Sequence, residues 1–176
     1  LASPALATPP PIMSPAPSDR SPASAAMVGS LPAGAASGTV VVRGLTGQTE
    51  TLTAADIARL PHAHVSLDHM GVTTDFSGPL LSDLLRDVGA PMGVRLHGAG
   101  VNDVVFVTAA DKYRVVLSLA EVDPSFHRNA RVILADLGDG KPLPIKEGPY
   151  RLVVDGDLKP ARAAYSVVAI ELKHLP

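Results

Sequence analysis

The residues able to do chemistry in this 176-residue chain are six histidines and scattered acids and bases, with no cysteine among them. Side chains alternate between the two faces of a strand, so in the run His62-Ala63-His64-Val65-Ser66-Leu67-Asp68-His69 the residues His62, His64, Ser66 and Asp68 share one face and His69 takes the other. His64 and Asp68 can approach a common ligand there, with His69 joining if the strand bulges. The plainer reading makes them the solvated side of an amphipathic strand, and it is the stronger because histidine pairs without further ligands seldom make a metal site. His97, before Gly98-Ala99-Gly100, stands either at a pocket edge with accessible backbone N–H groups or at a tight turn. Tyr113 offers a hydroxyl that donates to an oxyanion, and Arg114 a guanidinium that grips sulfate, carboxylate or phosphate in a bidentate manner. The plainer alternative makes Asp111-Lys112 a hairpin turn, Tyr113 a core edge and Arg114 a solvated strand residue.

Other chemistries drop out. The lack of cysteine removes disulfides, thiolate metal sites and cysteine nucleophiles together. There is no Gly-x-Ser-x-Gly elbow for a serine hydrolase. Asp155-Gly156-Asp157 starts like a calcium loop but lacks the later ligands and the closing glutamate, so it is a turn. Arg151 alternates with Tyr150 and Leu152 along a strand and is expected to pair with a nearby acid.

These residues sit on short elements. Val40 to Val42 reads as a strand, and Thr53 to Leu60 as a short helix with a hydroxyl N-cap, stopped by Pro61. His62 to His69 and Val72 to Phe76 form a hairpin about Gly71. Pro79 to Val88 is a helix with an apolar stripe of Leu80, Leu81, Leu84, Leu85 and Val88, closed by Gly89. Val94 to His97, Val104 to Thr108 and Arg114 to Leu117 are expected strands, Ser118 to Val122 a capped helix, and Tyr150 to Val154 and Ser166 to Leu172 further strands. The stretch Val132 to Val154 joins two buried β-branched runs through a rigid ledge. Gly138-Asp139-Gly140 turns the chain there, Pro142 and Pro144 hold it extended, and Gly148-Pro149 sets its return. Many short strands with two or three helices make a β-rich α+β domain.

Composition divides the chain. With 46% hydrophobic and 18% charged residues, it is long enough for one globular domain with a sizeable, mainly aliphatic core. Residues 1–37 hold eight of the 17 prolines and two charges, Asp19 and Arg20, and read as a disordered, partly polyproline-like tether. Ala5-Leu6-Ala7 fits the small-x-small end of a secretory signal or a chance match in an alanine-rich leader. A periplasmic or secreted location, with residues 38–176 as the folded domain, is the expectation. The net charge of -2 without a basic cluster argues against nucleic-acid binding, and no stretch has the length and continuity of a transmembrane helix.

Asp139-Gly140-Lys141-Pro142-Leu143-Pro144, followed by Gly148-Pro149-Tyr150-Arg151-Leu152-Val153-Val154 and Gly156, resembles the signature of the sulfite-oxidase-type molybdopterin-binding domain. Lys112 to Leu119 and Phe76 to Leu85 are similar to two further runs of that family, in the same order, so the resemblance covers roughly residues 38–173. It implies a β-rich α+β domain of that fold, molybdopterin as cofactor and oxidoreductase chemistry. It also places Tyr113 at a family tyrosine position and matches Arg162 to a cofactor-holding arginine.

The chain departs from the pattern in three places. The family's molybdenum-binding cysteine would fall near Leu67-Asp68-His69-Met70, where there is none. A second cation after Arg162 is replaced by Ala163-Ala164-Tyr165, and Val154-Asp155-Gly156 stands for Val-Pro-Gly. Two readings stay open. One is a redox enzyme or enzyme component with a redox partner protein, Tyr113 and Arg114 lining its pocket. The other is a non-catalytic exported module that recognises a small anion or a partner protein such as a sensor.

Overall fold

The computed structural model describes residues 38–129 and 131–176; the proposed leader of residues 1–37 lies outside the described residues. The long central stretch forms the middle of the fold. Strands β7 (Val132–Ala135) and β10 (Arg151–Val154) pair antiparallel as a two-stranded ribbon, with Leu134 opposite Leu152 and Ile133 opposite Val153. Both faces of the ribbon are buried, which is why the runs are continuously apolar instead of alternating. Val132, Leu134, Leu152 and Val154 belong to the main core. Ile133, Ala135 and Val153 belong to a second cluster with Val65 and Phe76.

On the main-core side lies a five-stranded sheet in the order β2-β1-β11-β5-β6. It comprises β1 (Val40–Arg43), β2 (Thr49–Leu52), β5 (Asp103–Ala109), β6 (Arg114–Ser118) and β11 (Val167–His174). Only β1 and β11 run parallel; the other neighbours are antiparallel. Its inner residues, Val40, Val42, Val105, Val107 and Ile170 among them, pack with Leu81, Leu84 and Leu85 of helix α2 (Leu81–Asp87).

On the second-cluster side lies the all-antiparallel sheet β3-β4-β8-β9. Here β3 (His62–His69) and β4 (Val72–Pro79) form a hairpin whose turn places Met70 and Gly71 at positive φ, as the sequence at Gly71 predicts. Gly78 is where β4 crosses the ribbon: a Cβ there would lie 2.1 Å from the carbonyl oxygen of Leu134. The turn through Asp139-Gly140, both at positive φ, joins the short strands β8 (Leu137–Gly138) and β9 (Lys141–Pro142). The ledge is therefore itself a small hairpin, and the Gly148–Pro149 bond beyond it is cis.

Local signals account for the helices. In α1 (Ala54–Arg59) the Thr53 and Asp56 side chains cap one another's backbone N–H groups, and in α3 (Leu119–Val122) the Ser118 hydroxyl accepts from the Glu121 N–H. One expected strand is corrected. Val94 to His97 is not extended: Gly93–Arg95 and Gly98–Asn102 are two successive 3-10 turns. Gly93 and Gly98 take positive φ, and the Asp123 carboxylate accepts from the Gly93 N–H, so the chain is tied to the next helical segment instead of to a sheet.

Candidate functional site

The turn end of the β3–β4 hairpin forms one wall of the site. Leu67, Val72, Thr74 and Phe76 line a cavity of about 340 Å³ with His69 and Met70 of the hairpin end. Its other wall comes from the end of β10 and the segment after it, through Val154, Lys159, Pro160, Ala163 and Tyr165. A smaller lobe of about 230 Å³ continues past Thr74 and Phe76 towards Leu143 and Pro144 of the ledge.

Arg151 and Glu147 line both lobes. Arg151 shares the ribbon face of Val153, and its guanidinium carbon lies 4.5 Å from the centroid of the Phe76 ring and 4.7 Å from that of Tyr165. Its Nη1 donates to Glu147 at 2.6 Å, with the two side chains 9% and 28% exposed. Its Nε is buried without a hydrogen-bond partner among the described residues. The cleft floor is thus an internally neutralised ion pair clamped between two aromatic rings.

The sequence candidates separate into three groups. Asp68 and His69 line the cavity, His69 by sharing the hairpin face of Leu67 and Asp68 from beside the turn. Asp68 is occupied by the turn itself, accepting from the Gly71 N–H at 3.2 Å and the Thr73 hydroxyl at 3.3 Å. Arg162 and Tyr113 brace the segment that forms the far wall. Arg162 pairs with Asp157, a cavity residue, and with Glu121 of α3, and the hydrogen bonds it donates to both carboxylates hold its guanidinium well above the usual arginine range. The Tyr113 hydroxyl donates to the Ala161 carbonyl at 2.6 Å.

His64, His97 and Arg114 are not brought to the cleft. His64 faces away from the hairpin's packed side, with its Nδ1 2.9 Å from the Asp75 carboxylate. His97 is exposed on the 3-10 segment. Arg114 lies on edge strand β6 of the five-stranded sheet, over the Phe106 ring at 5.5 Å. Among the described residues no three His, Cys, Asp or Glu side chains are placed to hold a metal ion.

Reading the sequence alone missed Arg151, Tyr165 and Lys159 as cleft residues. Arg151 was legible as a paired arginine, and the pair is Glu147. Its aromatic partners come from positions 76 and 165, which no local pattern links. The detectable signal was the hairpin's period-two face of Leu67, His69, Val72 and Thr74, which ends on an exposed Met70.

No family model and no curated protein matches the sequence. Among solved structures, the sulfane dehydrogenase SoxCD from Paracoccus pantotrophus is similar, with a TM-score of 0.56 at 17% identity, over 77% of this chain and 38% of that one. The likeness shows the fold: a single β-rich α+β domain of the sulfite-oxidase-like type. The chain thus spans well under half the length of the protein it resembles.

Proposed function

We propose that this domain is a non-catalytic binding module that keeps a sulfite-oxidase-like fold and uses the two-lobed cleft to hold a small ligand. The observation that carries the reading is the cleft's lining. Aliphatic and aromatic walls surround a floor whose buried cation, Arg151, is neutralised by Glu147 and clamped by Phe76 and Tyr165. Apolar concave sites with a few fixed polar groups suit small-molecule binding.

The residues present do not fit a molybdopterin. The chain has no thiolate, and the stretch where the resemblance would put the metal-binding cysteine is Leu67-Asp68-His69-Met70, on the cleft wall. Arg151 and Arg162 are each held by carboxylates, and Asp68 faces the cleft without a cation, so a phosphate dianion lacks the paired cations its burial would need. The redox-component reading has in its support the ordered sequence signature and the shared fold. We also propose an exported location, on the composition of residues 1–37 alone; fractionation of the native host tests it by finding the protein outside the cytoplasm or within it.

Titration with Nile red, a neutral dye that brightens in apolar surroundings, tests cleft binding. The wild-type protein is expected to give saturable fluorescence, and Val72→Arg, a substitution at a 66%-exposed position that need not disturb folding, is expected to abolish it. Equal fluorescence from both folded proteins would place the dye elsewhere and contradict the reading.

A further inference from the structure

The charges around the cleft are not distributed evenly, and their pattern defines a ligand class. Resting on the binding-module reading, we infer that the cleft takes an amphipathic monoanion, a compound with an apolar tail and a single carboxylate or similar acid head, free in solution. Of the cations lining the larger lobe, Arg151 is neutralised by Glu147. Arg162, behind the wall, is taken up by Asp157 and Glu121. Lys159 is left: it is exposed, lines the cavity, and has no ion-pair partner among the described residues.

Lys159 stands on the far wall, on the segment after β10. The hairpin wall opposite carries Leu67, Val72 and Phe76 as its apolar surface, with Asp68 beside the turn. Asp68 repels an anionic head from the hairpin end and Lys159 attracts it to the other wall, which gives the bound ligand one direction. The tail then lies along the hairpin face. Met70, 90% exposed at the hairpin tip, extends that apolar surface, and Leu158, next to Lys159 in the chain, is 95% exposed. So much exposed apolar surface around a concave site is a signature of ligand or partner contact. A dianion is disfavoured because it would need a second free cation, and the smaller lobe adds only Asp139 to the Arg151–Glu147 pair that lines both lobes.

Three probes of equal tail and different head test this: decanoate, decanol and decylamine, each titrated into the full chain by calorimetry with methyl NMR to locate binding. Decanoate is expected to bind most tightly, decylamine least, with the shifts confined to Leu67, Val72, Val154 and their neighbours. Lys159→Glu is expected to weaken decanoate by about tenfold, close to 1.4 kcal/mol, while leaving the melting temperature unchanged. Lys159→Met, which removes the charge without reversing it, should fall between. Decanoate binding equally well to all three proteins, or no better than decanol to the wild type, would refute recognition of the acid head while leaving the apolar cleft as a binding site. No perturbation of cleft residues by any probe would overturn both the ligand class and the binding-module reading.

Discussion

Arg151 concentrates more of the site's physics than any other residue. Removing it leaves Glu147, a half-buried carboxylate, without its cation and opens a void between Phe76 and Tyr165. Arg151→Ala is therefore expected to destabilise the domain by about 2–4 kcal/mol in urea unfolding, with Arg151→Lys recovering only part because an ammonium lacks the flat face that stacks on both rings. A loss below half a kcal/mol would mean the pair is solvated in practice. A second residue-scale expectation concerns acid. Burial pushes the Asp123 carboxyl up, but the N–H donors of Gly93 and Ser125 and the charge of Arg86 outweigh it and hold it below its ordinary 3.8. A depressed folded value means the carboxylate's contribution is present above that ordinary value and is lost as pH falls through the folded one. Stability is therefore expected to decline below about pH 4, and the decline to be shallower in Asp123→Asn, as chemical denaturation at several pH values would measure. An unchanged slope would remove Asp123 from the account of acid sensitivity.

At the scale of elements, the fold depends on the ribbon of β7 and β10 being buried on both faces. Ile133 and Leu152 point to opposite clusters and are both fully buried, so Ile133→Ala and Leu152→Ala should each cost about 2–5 kcal/mol. Their losses should add, because they sit in different clusters; strong coupling in a double mutant would show that the two clusters behave as one. Gly78→Ala is the sharper test, since its Cβ would overlap the Leu134 carbonyl and β4 or β7 must shift to cross; urea unfolding is expected to show a clear loss of stability. Elements defined by local chemistry were legible in the sequence: the Thr53 cap, the Gly71 hairpin, the Asp139-Gly140 turn and the uninterrupted apolar runs of the ribbon. Val94 to His97 was misread as a strand because its apolar alternation resembles one. Glycines on either side and a carboxylate 30 positions downstream decide its conformation. The cleft was half legible. Asp68 and His69 were marked by their hairpin, while Arg151, Tyr165 and Lys159 gain their meaning from contacts across the ribbon that no spacing rule encodes.

For the molecule as a whole, the fold likeness and the chemistry point in different directions. The architecture is sulfite-oxidase-like, yet an analogous fold does not carry an activity with it. What the described residues build is an apolar cleft with a neutralised floor and, among them, a single unpaired cation, Lys159, in its lining. Among the described residues no helix is long and apolar enough to cross a membrane. Elemental molybdenum together with released-pterin fluorescence, on folded protein purified from a host that makes the cofactor, decides most directly whether the cleft holds that group. A cofactor-free binding module predicts neither metal nor pterin above background. Stoichiometric amounts of both would contradict it, and would mean that the cleft lined by Leu67 to Met70 holds the group without a sulfur ligand from the protein.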